Sequence, residues 1–274
     1  MNIPEEDIMD LGIKGKVALI TGGNRGIGLA SAIEIAKEGC NVAITGRHEG
    51  DLAKAVKDLE GLGVKAIGLA GDLETAEGVN KVVSETYEAF DKIDILFNNA
   101  GSVHLTTPLD ATDEEWQTQL NIHIMACVRT CRLVIPKMIE QKWGRVINMS
   151  SMYGIAPGSG TADYSTAKAA VINYTRSLAM EYSKEGICAT AICPGLIHTE
   201  IWDKLADEIA TDIGSTRQAV LDTCANAASA VKRYARPEEV GKVVAFLASE
   251  CSSYMSGCTV QVDGGVFSGV EINF

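Results

Sequence analysis

Residues 16–28 read K-V-A-L-I-T-G-G-N-R-G-I-G, an unbroken apolar run that ends in a glycine-rich turn and opens into a helical pattern. A run that is apolar at consecutive positions belongs to a strand buried on both faces, and such strands occur in parallel sheets covered by helices on either side. The same alternation recurs along the chain. Short apolar runs at 41–46, 65–71, 93–97, 144–149, 187–193 and 259–262 are interleaved with helical stretches at 27–38, 51–62, 76–90, 113–141, 161–184 and 238–249. Pro136 falls inside the 113–141 stretch, where a kink is expected. This order predicts an α/β, Rossmann-type, doubly wound fold with a seven-stranded parallel sheet in a single domain. Residues 1–13 read as a short extension with a helical turn near 5–11, and 14–274 as the domain.

The formal net charge of −12 excludes a general nucleic-acid binder, which needs a basic footprint. The eight cysteines form no C-x-x-C pair, and the four histidines do not interleave with them at zinc spacing, so no metal site is expected. Several lie in apolar runs such as I-C-A-T-A-I-C-P and read as reduced, buried thiols, which suits a cytoplasmic protein. No apolar run approaches the ~20 residues of a membrane span. The first residues, M-N-I-P-E-E-D, are acidic, unlike a secretory signal.

Two stretches carry chemistry. In T-G-G-N-R-G-I-G, residues 21–28, Gly22, Gly26 and Gly28 follow a strand and open a helix. There the backbone can pass close to a pyrophosphate whose charge is met by a helix N-terminus. The second stretch, A-D-Y-S-T-A-K-A-A at 162–170, places Tyr164 and Lys168 one helical turn apart on a common face. A Lys ammonium beside a phenol favours the phenolate, which makes the pair a candidate general acid/base unit.

Together with N-N-A-G at 98–101, these motifs resemble the short-chain dehydrogenase/reductase family, and the C-P-G-L-I-H-T run at 193–199 and V-D-G-G at 262–265 extend the likeness from Lys16 to about Gly265. The resemblance implies that Tyr164 transfers the proton. It implies that Lys168 holds the nicotinamide ribose and lowers the pKa of Tyr164, and that Ser151 orients the substrate oxygen. Ser150 is the competing serine, but the thirteen-residue spacing to Tyr164 favours Ser151. At the cofactor it implies Gly22, Asn24, Arg25, Gly26, Ile27 and Gly28 in the turn, Arg47 after the second strand, and Asp72 and Leu73 at the adenine. Asn99, Ala100 and Gly101 would lie beside it, with Asn98 supporting the fourth strand's end, and Pro194, Gly195, Ile197 and Thr199 would frame the nicotinamide.

One position departs from the family. Its catalytic Asn stands seven residues beyond an aromatic near the start of the long helix; counted from Trp116, that position is His123, while an Asn occurs at 121. Residues two apart do not share a helix face, so Asn121 is a poor substitute without a bulge, and an imidazole can hold the same proton-relay water. At the end of the second strand, where NAD-preferring members carry an acidic residue, stands Gly46 followed by Arg47. Two guanidiniums, Arg25 and Arg47, with no carboxylate there, suit a 2′-phosphate, so NADP(H) is expected over NAD(H).

Substrate contacts are expected from His104, Tyr153 and Ser151, and from Trp202 in a lid segment at 196–236. Ile201, Leu205 and Ile209 share that segment, with His198 and Lys204 as further polar candidates. No cluster for a substrate phosphate or carboxylate is evident, which favours a neutral ketone or secondary alcohol. The family's 3-oxoacyl-thioester reductases, hydroxysteroid-type enzymes and polyol dehydrogenases share the pattern. From another class, a dinucleotide-binding sensor or scaffold without turnover shares the glycine turn. The resemblance also implies a homotetramer, with Met125, Cys127 and Val128 on or near the pairing helix face.

Overall fold

The computed structural model describes residues 9–266. Among them the strands are β1 (Val17–Ile20), β2 (Asn41–Gly46), β3 (Ala66–Ala70), β4 (Ile95–Asn98), β5 (Gly144–Met149), β6 (Ile187–Pro194) and β7 (Thr259–Val262). They form a wholly parallel sheet in the order β3-β2-β1-β4-β5-β6-β7. The helices are α1 (Gly26–Lys37), α2 (Glu49–Glu60), α3 (Ala76–Phe90), α4 (Asp113–Leu120), α5 (Ala126–Gln141), α6 (Ala162–Tyr182), α7 (Glu200–Ile213), α8 (Arg217–Ala228) and α9 (Pro237–Leu247).

Successive strand residues serve opposite faces, and both faces are buried. Ala18, Ile20, Ile95 and Phe97 pack with Ile35, Leu52, Leu59, Val240 and Val244 from α1, α2 and α9. Leu19 and Leu96 pack with Val79, Val82, Val134, Met138 and Leu178 from α3, α5 and α6 on the other side. This is why the strands read as continuous apolar runs. Helices α1 and α9 approach so closely that a Cβ on Gly241 would meet Ala30 O at 2.8 Å.

Three expectations need correction. The 113–141 helix is not continuous: a π turn at Asn121–Met125 separates α4 from α5. Pro136 lies inside α5, which runs on through it, so the break has a different origin from the one expected. Cys127 is buried rather than on an outer helix face, while Met125 and Val128 are half-buried. The helical turn near 5–11 falls mostly outside the described residues. Residues 9–11 are not helical, and Leu11 and Ile13 already pack on the core.

A buried polar chain ties the two central strands to the helices behind them. Thr130 Oγ1 donates to Asn98 Oδ1 at 2.7 Å, Asn98 Nδ2 to Asn148 Oδ1 at 2.8 Å, and Asn148 Nδ2 to Thr175 Oγ1 at 2.9 Å. Asn98 and Asn148 are register partners on β4 and β5. A satisfied network of this kind specifies one packing, and breaking it orphans a buried acceptor. Asn98→Ala should therefore lower stability by about 2–4 kcal/mol in urea unfolding; a loss below the error of the measurement would show that the network holds little.

Candidate active site

The glycine turn is shaped by its neighbours. Gly22 and Gly26 have φ of +62° and +54°, a region L residues rarely adopt. A Cβ on Gly28 would lie 2.2 Å from Gly22 O, so only hydrogen fits there. Gly22 N–H donates to Thr45 Oγ1 at 3.1 Å. Thr21 Oγ1 accepts from the amides of Asn99 and Ala100 at 2.8 and 3.0 Å, and Asn99 Nδ2 donates to Thr21 O at 2.9 Å and Gly22 O at 3.1 Å. The N-N-A-G turn thus latches the glycine turn. Helix α1 starts after Arg25 with no side-chain cap, leaving its first amides free for an anionic group.

Every residue expected at the cofactor lines one cleft of ≈ 320 Å³, and Ser151 and His123 line it too. It crosses the carboxyl ends of β2, β1, β4 and β5, where the strand order reverses, which is where open α/β sheets take ligands. Arg25 and Arg47 stand at the β1 and β2 end. Arg25 pairs with Glu200 at 3.3 Å, and Arg47 is exposed with no acidic partner among the described residues. Ser151, Tyr164 and Lys168 stand at the β5 end.

Lys168 is 3% exposed and its Nζ donates to Met149 O at 2.9 Å. Ser150 is used structurally, its Oγ donating to Lys168 O at 2.8 Å, which leaves Ser151 as the serine beside the phenol. The expected depression of the Tyr164 pKa is not what this arrangement produces. Part of the ring is open to the cleft, but protein packed around the phenol pushes it up to about 12, against a smaller opposing effect of the Ser151 hydroxyl. The Lys168 ammonium lies 5.6 Å from the ring centroid, and its own burial lowers it to about 8. Desolvation is the largest cause of both shifts.

His123, in the π turn, is 2% exposed, and its ring stands edge-on to Tyr164 with centroids 5.3 Å apart. Nε2 donates to Ser102 O at 2.9 Å and also faces Gln119 Oε1 at 3.2 Å, while Nδ1 is buried without a partner. Burial, and then the nearby Lys168 charge, hold the ring well below its usual pKa, so it is neutral. Gly101 belongs with this ring, since a Cβ there would meet His123 Cε1 at 2.4 Å. Asn121 points elsewhere and accepts from Arg129 Nη2 at 3.4 Å.

On the substrate side the expected residues divide between the cleft lining and its surroundings. Trp202 and Ile201 line the cleft, and Trp202 stacks edge-on with Tyr234 at 5.3 Å. His104 does not line it; its imidazole lies between Asp163 and Glu115. Tyr153 is not in the lining either, but stands behind Tyr164 with ring centroids 6.5 Å apart. His198 pairs with Asp203 at 3.0 Å, and Lys204 is exposed outside the cleft. Segment 196–236 contains α7 and α8, which share an apolar cluster of Ala206, Ala210, Val220, Leu221 and Cys224. Lining residues not singled out from the sequence include Thr45, Ser102 and Ile122. The signal for Ser102 was its place directly after N-N-A-G; Thr45 and Ile122 carried none.

Comparison with known proteins agrees with this fold. The short chain dehydrogenase family profile matches residues 16–210, and the chain belongs to the short-chain dehydrogenase/reductase family of oxidoreductases. The 3-oxoacyl-[acyl-carrier-protein] reductase FabG of Aquifex aeolicus is 37% identical over 94% of this chain and 100% of its own. The structure of L-sorbose reductase from Gluconobacter frateurii complexed with NADPH and L-sorbose is 39% identical, with a TM-score of 0.92 over 94% of this chain and 98% of that one. NAD+-bound xylitol dehydrogenase is 31% identical, with a TM-score of 0.85 over 92% of this chain and 99% of that one. Among the described residues no helix is long and apolar enough to cross a membrane.

Proposed function

We propose that the chain interconverts a neutral ketone and a secondary alcohol with NADP(H) as cofactor. The observation that carries the reading is the convergence of Ser151, Tyr164 and Lys168 on the same cleft as the glycine turn. The turn fits a dinucleotide, because hydrogens alone occupy the space at Gly28 and the first amides of α1 are uncapped. Arg47, with Arg25 lining the same cleft, would meet a 2′-phosphate, and Lys168 would reach the nicotinamide ribose. When bound, the nicotinamide supplies or accepts the hydride at the substrate carbon. Ser151 Oγ would hold the substrate oxygen, and the Tyr164 hydroxyl would give or take its proton. His123, with Nε2 committed to Ser102, offers Nδ1 to a relay water in place of the family's Asn. Helices α7 and α8 would act as the lid, with Trp202 against the substrate.

A panel of ketones and alcohols with NADPH and NADP+ tests the reading. Failure to turn over any member despite tight NADPH binding would replace it with a sensor or scaffold. The likeness to L-sorbose reductase favours a polyhydroxy ketone as a second reading, so the panel should include ketoses and polyols. On the cofactor side, kcat/KM with NADPH should exceed that with NADH by about tenfold or more, and Arg47→Ala should erase most of the difference. Comparable efficiencies in the parent protein would refute the preference. Eight unpaired cysteines suit a reducing compartment such as the cytoplasm. A homotetramer paired through α5, α6 and β7 is proposed from the family likeness, and solution mass measures it.

A further inference from the structure

Two segments far apart in sequence are stapled together over the phenol. In the stretch that follows N-N-A-G, Ser102 is held from the α4 side. Its carbonyl accepts from His123 Nε2 at 2.9 Å and its Oγ from Gln119 Nε2 at 3.2 Å. Thr106 N–H donates to Gly160 O at 2.8 Å and bridges to Thr161 at the start of α6. Between these two clamps stands His104. Its Nδ1 is 2.7 Å from Asp163 Oδ2 and its Nε2 is 3.3 Å from Glu115 Oε1.

Asp163 is 0% exposed and immediately precedes Tyr164. Its second oxygen, Oδ1, accepts the Tyr164 amide at 2.7 Å. A carboxylate this buried needs a partner, and among the described residues its ion-pair partner is His104. Glu115 is fixed independently, in a capping box with Thr112, which holds its carboxyl below the usual range. Each ring nitrogen of His104 thus faces a carboxylate, one on α4 and one on α6.

Ser102 and Val103 line the cleft on the same side as Tyr164 and His123, and His104 is the next residue. We propose that His104 is a positioning residue: through Asp163 and Glu115 it fixes the Ser102–Val103 wall of the substrate site against Tyr164. It touches no reacting atom. Its effect on the reaction is through where a substrate can lie, so it belongs to substrate affinity and selectivity rather than to proton transfer. The kinetic part of this inference rests on the reductase reading above; the structural part does not.

The test uses the full chain with His104→Leu, which makes neither contact, and His104→Gln, which can still donate to Asp163. Hydrogen exchange of the 102–107 and 160–164 backbone is followed with and without NADPH. Substrate kinetics are measured with the best carbonyl compound of the panel. His104→Leu should speed exchange in both segments, leave NADPH affinity unchanged, and raise KM by about tenfold while kcat stays within about twofold. His104→Gln should recover most of the protection and most of the KM. Unchanged exchange in both segments of His104→Leu overturns the proposal, and so does a fall in kcat at constant KM. If the parent protein reduces no carbonyl compound, the reductase reading fails, and the exchange data alone decide for or against the staple.

Discussion

Tyr164→Phe should lower turnover by about 10³-fold while NADPH binding stays within about twofold. The substitution removes one oxygen and keeps the ring, so the edge contacts to His123 and Tyr153 survive. Fluorescence titration of NADPH and steady-state rates measure the two quantities separately. A variant with near-parental turnover would remove Tyr164 from the mechanism. The direction of pH dependence follows from the phenol, which burial pushes up to about 12. Ketone reduction needs the protonated form, present throughout the neutral range. Alcohol oxidation needs the phenolate, so its rate should climb as pH rises from neutral toward the alkaline side.

Lys168→Met should move activity and stability in opposite directions. Burial lowers the ammonium to about 8 from its ordinary 10.5. Between those two pH values the unfolded chain holds a proton the folded chain has released, so folding stability rises with pH across that window. Below about pH 8 the folded chain carries the full penalty of a buried charge. Replacing the ammonium with a methionine of similar length removes that penalty at pH 7, at the loss of one hydrogen bond to Met149 O. The net gain should be about 1–2 kcal/mol, or roughly 2–6 °C in Tm for a chain of this size. Turnover should fall by about 10²-fold or more, because the ammonium proposed to hold the nicotinamide ribose beside Tyr164 is gone. A Lys168→Met protein that melts several degrees lower than the parent at pH 7 would show that the ammonium is better compensated than its surroundings indicate.

The sheet was legible because a parallel strand buried on both faces leaves a mark no helix shares: Val17–Ile20 and Ile95–Phe97 are apolar at every position. The site was legible where function needs a glycine or a fixed spacing, as at Gly28 or between Tyr164 and Lys168. What escaped was set by contacts between distant segments. His104 reads as a substrate residue from its place after N-N-A-G, yet its partners come from positions 115 and 163. The spacing of Tyr164 and Lys168 showed their neighbourhood but not their burial, which decides the direction of both pKa shifts. Helix α8 buries its apolar residues chiefly against α7, so its pattern is short and weak.

The π turn at Asn121–Met125 has one further implication. An α-helix advances by about 100° per residue, so one surplus residue re-aims everything beyond it by that angle. Deleting a single residue between 121 and 125 would let α4 and α5 fuse into one regular rod. Local backbone hydrogen bonding would improve, and the imidazole at 123 would swing out of register with the phenol. For this chain an in-frame deletion would be a steering change: a better helix and, on the proposed role of His123, a worse catalyst, from the loss of one residue and no alteration to any other.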